Sequence, residues 1–175
     1  MPPRLTADDD AIQVLATVLS SGRSSRLYQK IVRELQLAPN VNAGRDSAAG
    51  PGLFRVSATL VPGKTVESLE AAVYQEIDRV KNGPIEDWEI EKARNNAKRA
   101  VVGGLTSSLQ RAMQLAAFAG TFGDVNLINQ RVDRIMKVTV ADVQRAARTF
   151  LVTENRTVVV TTPKAATRSQ EVRHE

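Results

Sequence analysis

Between Leu53 and Pro84 the hydrophobic period of the chain changes once, and that change limits the possible architecture more than any other feature. Phe54, Val56, Ala58 and Leu60 alternate with Arg55, Ser57 and Thr59. A period of two puts the apolar side chains on one face of a half-buried strand. Pro62-Gly63 closes it, and then Val66, Leu69, Val73, Ile77 and Val80 recur at spacings of three and four. That spacing is one face of an amphipathic helix. Thr65 is placed to cap its start and Asn82-Gly83-Pro84 to stop it. A one-faced strand followed directly by a one-faced helix predicts helices layered on a sheet.

The remaining elements follow from the same periods. Three consecutive aspartates, Asp8 to Asp10, offer an N-cap and first-turn charge to a helix ending near Leu19, with Ile12, Leu15, Val18 and Leu19 on its buried face. Ser20-Ser21-Gly22 ends that helix. A second helix is expected over about 25–35, burying Leu27, Ile31 and Leu35, with Ser24 and Ser25 as its caps and Pro39 forbidding its continuation. A strand over 41–46 pairs with the one over 53–61 through the turn cluster at 47–52, an antiparallel hairpin.

Beyond Pro84 a helix starts at Glu86 and breaks at Gly103-Gly104. Another, over 107–122, is rich in small residues (Ala112, Ala116, Ala117, Ala119) and is expected to be sandwiched between neighbours. Asp124 is expected to cap a helix carrying Leu127, Ile128, Val132 and Ile135. Thr139, with Asp142 three residues on, is expected to cap a last one carrying Val143, Ala147 and Phe150. The β-branched run 156–162 reads as a third strand, and 164–175, which contains the only histidine, His174, as a disordered tail. The expected domain is therefore 1–163, of α+β class, with a small antiparallel sheet covered by several helices.

Several function classes fall away on composition. The 24 basic residues are interspersed with 19 acidic ones, and aromatics make up only 4%. Nucleic-acid binding calls for clustered cations with interleaved aromatics, so no nucleic-acid partner is expected. No apolar run reaches the roughly 18 residues of a membrane span. The absence of cysteine removes disulfides and thiol chemistry, and fits a bacterial periplasm or cytoplasm equally.

The stretch S-S-R-L-Y-Q-K-I-V-R-E-L-Q-L-A, with G-L-F-R-V-S-A, V-P-G-K-T, G-P-I-E-D-W-E-I-E-K-A-R, V-T-V-A-D-V-Q-R-A-A-R-T-F-L and N-R-T-V-V-V following in order, resembles the pitrilysin/insulinase family of zinc metallopeptidases. It is similar to the non-catalytic half of the pair, over about 9–163. The resemblance implies a processing-peptidase-like half-domain that faces a homologous zinc-binding domain or subunit around a peptide-holding chamber. It also implies that the leading strand and the catalytic half lie ahead of Met1. The implied partners are that zinc-binding half, a peptide substrate and a second copy in a homodimer. A structural assembly subunit of the same fold, without proteolysis, is the alternative.

The family's metal site uses an inverted His-x-x-Glu-His helix, which a chain with one histidine cannot build. No metal ligands and no catalytic residues are therefore assigned here, and zinc is expected in the other half. Glu86, Glu89 and Glu91 read as first-turn acids favourable to a helix dipole. Ser24-Ser25 beside Arg26 has no histidine to act as base. In the family an arginine and a tyrosine on the helix-to-strand corner can reach the substrate. Arg33 holds the arginine place; the tyrosine place falls at Pro39, or at Asn40 with a one-residue gap. The resemblance thus implies substrate-binding roles for Arg33 and Asn40, against a plain surface role for Arg33 paired with a nearby acid.

Overall fold

The hairpin predicted on either side of the turn cluster forms as drawn. In the computed structural model, which describes residues 1–46 and 50–162, β1 (Val41–Arg45) pairs antiparallel with β2 (Phe54–Ala58). Val41 lies opposite Ala58 and Arg45 opposite Phe54. Phe54, Val56 and Ala58 turn inward while Arg55 and Ser57 face out, so the alternation in the sequence is the alternation in space.

Helix α1 (Ala7–Ser20) lies against β1 and carries the centre of the core. Its Ile12, Leu15 and Leu19 are fully buried, together with Leu27, Ile31, Val80, Val143 and Ile135 from other elements. Burying each such side chain contributes about 1.5–3 kcal/mol. Around α1 pack α3 (Asp87–Gly103), α5 (Leu127–Met136) and α6 (Val140–Phe150), while α2 (Val66–Asn82) lies on α6 and on the short helix that follows α1. Thr65 accepts the Ser68 amide at the start of α2, and Thr139 and Asp142 form the predicted capping box of α6.

Several expectations are corrected. The N-cap of α1 is Thr6, whose hydroxyl accepts the Asp9 amide. The three aspartates instead spread to three other elements: Asp8 to Arg145 of α6, Asp9 to Arg45 of β1, and Asp10 to Arg134 of α5. The second helix is a π-helix (Tyr28–Glu34), and its wider winding takes Leu35 off the stripe of Leu27 and Ile31, leaving it 36% exposed. Ser25 donates to the Gly22 carbonyl and Ser24 accepts from Lys92, so neither caps that helix. Asp124 accepts the Asn126 amide in the turn ahead of α5, whose N-cap position is Asn126 itself.

Two larger corrections concern exposure. Helix α4 (Ser108–Phe122) is not sandwiched: Phe118 is its one buried residue. Small side chains permit close approach, but they do not supply a neighbour. The run 156–162 is not a strand, and Val159 is 82% exposed. β-branched residues favour extended backbone, yet a strand exists only where a ladder partner is present; among the described residues this run has none. The Arg156 guanidinium lies over the Tyr74 ring at 4.5 Å and holds the start of the run against α2. The tail predicted over 164–175 lies outside the described residues.

Candidate functional site

The turn between α1 and the π-helix is held to α3 by two cations. Arg26 donates to both carboxylate oxygens of Glu89, Nε to Oε1 at 2.8 Å and Nη2 to Oε2 at 2.6 Å, and also to the Pro84 carbonyl at 2.8 Å. Glu89 accepts a further bond from the Glu86 amide at 3.0 Å, closing the first turn of α3. One turn along, Lys92 Nζ donates to the Ser21 carbonyl and the Ser24 hydroxyl. Sequence reasoning had Glu89 as a dipole-compensating acid and missed its ion pair with Arg26, which joins residues 63 positions apart.

Glu89 is 7% exposed. Burial pushes its carboxyl up, but the Arg26 bond, the Glu86 amide and the charges of Arg26 and Lys92 outweigh that, and it ionises below the ordinary glutamate value. The Arg26 guanidinium is held above its ordinary value, chiefly by the same bond. The pair is therefore ionised at neutral pH.

Outside this clamp runs a shallow open cleft lined by Arg26, Lys30, Glu34, Glu76, Arg79 and Trp88, among others, with Trp88 half exposed. Each of its cations is already matched. Arg26 pairs with Glu89, Lys30 with Glu34 at 2.6 Å, and Arg79 with Glu76 at 2.7 Å. A cleft whose charges are internally neutralised holds its walls together and offers little to a charged ligand.

Arg33 differs. It sits in the last turn of the π-helix with its side chain in solvent, and among the described residues it has neither an ion pair nor a side-chain hydrogen bond. The nearby acid that could have matched it, Glu34, is taken by Lys30. Gln36 then adopts the left-handed conformation, φ 51°, and turns the chain so that the Leu37 amide reaches back to the Ile31 carbonyl at 2.9 Å. Leu37 and Ala38 are buried, pinning the corner, and Asn40 emerges exposed just ahead of β1. Arg33 and Asn40 therefore stand at the two ends of one corner, both open to solvent. Lys64 approaches the same corner, its Nζ 3.4 Å from the Leu35 carbonyl.

No group of three or more His, Cys, Asp or Glu side chains is placed to hold a metal ion among the described residues, which exclude His174. No described helix is long and apolar enough to cross a membrane.

Comparison with known proteins gives one consistent answer. The sequence profile described as "Peptidase M16 inactive domain" matches residues 1–97. An uncharacterized zinc protease of Streptomyces coelicolor is 30% identical over 152 residues, covering 85% of this chain and 33% of that protein. The mitochondrial-processing peptidase subunit alpha of Neurospora crassa is 24% identical over 159 residues, covering 81% of this chain and 27% of that protein. Among solved structures, an inactive peptidase domain from Bordetella parapertussis superposes with a TM-score of 0.85 at 28% identity, over 95% of this chain and 90% of that one. The chain spans about a third of the length of the curated zinc proteases it matches.

Proposed function

The chain belongs to the family of the peptidase M16 inactive domain, and from that membership we propose that it is the non-catalytic, substrate-holding wall of a zinc metallopeptidase. Hydrolysis would be carried by a homologous zinc-binding half, where the metal would activate water against the peptide bond. This chain contributes binding and orientation. The observation that carries the reading is Arg33: an exposed guanidinium, unmatched by any described acid, on a corner whose backbone is pinned on both sides by buried residues. A guanidinium so placed can donate two parallel bonds to a peptide carboxylate or to backbone carbonyls. Asn40 presents an amide able to donate to and accept from an extended peptide backbone.

Because the Arg33 side chain is exposed and makes no ion pair or hydrogen bond among the described residues, removing it should leave the fold alone. Arg33→Ala in the intact protein is expected to raise KM for peptide about tenfold, the loss of one charge-assisted bond, with an unchanged melting temperature. Unchanged kinetics would return Arg33 to a solvent role.

A second reading, an assembly subunit without proteolysis, draws on the similarity to a processing-peptidase alpha subunit. The two readings separate on the full-length protein. Peptide cleavage that is abolished by a chelator and restored by zinc supports the first. A zinc-free protein that purifies only within a complex supports the second.

A further inference from the structure

The turn between β2 and α2 delivers a second cation to the corner that carries Arg33. In V-P-G-K, residues 61–64, proline stands second and glycine third, the order of a type II turn. The backbone keeps that order: Gly63 has φ 85°, which glycine adopts without strain, and the Lys64 amide donates to the Val61 carbonyl at 3.1 Å. The Val61 amide in turn donates to the Leu37 carbonyl at 2.9 Å, so the turn is pinned to the corner through the main chain. Lys64 stands fourth in the turn, and its Nζ lies 3.4 Å from the Leu35 carbonyl.

Leu35 is two residues past Arg33, and two residues span at most about 7 Å of chain, so Arg33 and Lys64 belong to one patch. Both side chains are exposed, and neither makes an ion pair among the described residues. No acidic residue occurs in 35–44 or 59–66. Glu34 is held by Lys30 at 2.6 Å, and Glu67, the next acid past Lys64, lies in the first turn of α2, where the helix dipole favours it. The cations of the neighbouring cleft, Arg26, Lys30 and Arg79, each have a carboxylate of their own. The corner alone carries uncompensated positive charge.

Building on the substrate-holding role proposed for this corner, we infer that it selects peptides bearing a carboxylate, with Lys64 as a specificity-determining residue beside Arg33. A peptide carbonyl is satisfied by the Arg33 fork alone. A carboxylate spreads a full charge over two oxygens and about four acceptor sites, so it gains from both cations at once. An ammonium has three donors, and at Lys64 only one of them is directed at Leu35, which leaves the others for a ligand. The carboxylate is either the free C-terminus of the peptide or an aspartate or glutamate side chain within it.

Three peptides of one neutral sequence test this on the intact protein: one amidated at its C-terminus, one with that carboxylate free, and one amidated with a central glutamine replaced by glutamate. Initial rates give KM and kcat for each. At least one carboxylate peptide is expected to show a KM about tenfold below the neutral one at the same kcat, two exposed charge contacts of about threefold each, and which of them does so identifies the source. Lys64→Gln keeps a donor for the Leu35 carbonyl but removes the charge, and should cut the advantage to about threefold; Lys64→Arg should restore it, and added salt should shrink it. Equal KM for all three peptides, or an advantage that Lys64→Gln leaves whole, overturns selection by carboxylate and leaves the substrate-holding role standing. Arg33→Ala without effect on any KM overturns that role, and the selection with it.

Discussion

Removing the Arg26 guanidinium tests whether the turn ahead of the π-helix is held by a desolvated ion pair. Arg26→Ala deletes two bonds to Glu89 and one to the Pro84 carbonyl, and leaves a carboxylate that is 7% exposed without its cation. Breaking a buried pair from one side costs about 3–5 kcal/mol. Glu89 keeps the Glu86 amide and the nearby charge of Lys92, so a loss just below that range, about 2–3 kcal/mol, is expected here. Replacing both partners, Arg26→Met with Glu89→Met, strands no charge. It loses mainly the bond that closes the first turn of α3, about 1 kcal/mol.

The assay is urea unfolding of the native chain, the single variant and the double one, repeated across pH. Glu89 ionises below its ordinary value in the folded state, so its contribution is present above the ordinary glutamate pKa and is lost as pH falls through the folded one. In Arg26→Ala the Arg26 bond and charge no longer offset the burial of Glu89, so the gap between native and variant should narrow on acidification. A single variant that loses less than about 0.5 kcal/mol at neutral pH, as an exposed pair would, refutes the reasoning. A double variant less stable than the single one would do so too.

Gln36→Gly is expected to raise stability by about 0.5 kcal/mol, because a φ of 51° costs a side-chain-bearing residue about 1 kcal/mol and glycine's extra freedom in the unfolded chain offsets part of the gain; a thermal melt that moves down contradicts this. The Asp10 carboxyl is pushed above the ordinary range by burial first, with the Arg134 bond and charge pulling the other way and Asp9 adding to the rise. The folded state therefore holds that proton more tightly, and the Asp10 contribution is present at low pH and lost as pH rises through its folded value. A carboxyl NMR titration should find Asp10 above and Glu89 below their ordinary midpoints, and the reverse order would refute the assignment.

Local rules carried the reading of the fold wherever a pattern is complete within one element. The period-two alternation of 54–60, the stripe of α2 and the capping box at Thr139 each needed only neighbours in sequence, and each is present in the structure. What was misread depends on a partner far along the chain. Glu89 looks like any first-turn acid until Arg26 arrives from 63 residues away, and an ion pair has no period to betray it. The 156–162 run has the composition of a strand, but pairing is a property of two segments. Leu35 falls on the buried stripe only at a 3.6-residue spacing, which the π-helix does not keep. Arg33 and Asn40 could be singled out only through the family resemblance. The structure adds what the sequence could not: the neighbouring acid is already taken by Lys30.

The three aspartates that open α1 have a consequence for the order of folding. Arg45, Arg134 and Arg145 reach this one turn from β1, α5 and α6, and the bonds to Asp10 and Asp8 close loops of 124 and 137 residues. Contacts of such sequence separation form late, because the loop entropy must be met before they are made. They therefore stabilise the native state with little effect on the barrier from the unfolded side. In a chevron experiment Asp8→Ala, which removes the bond to Arg145, should steepen neither limb. It should speed unfolding while leaving the refolding rate nearly unchanged, so that the first turn of α1 acts as the latch on a chain that has already collapsed.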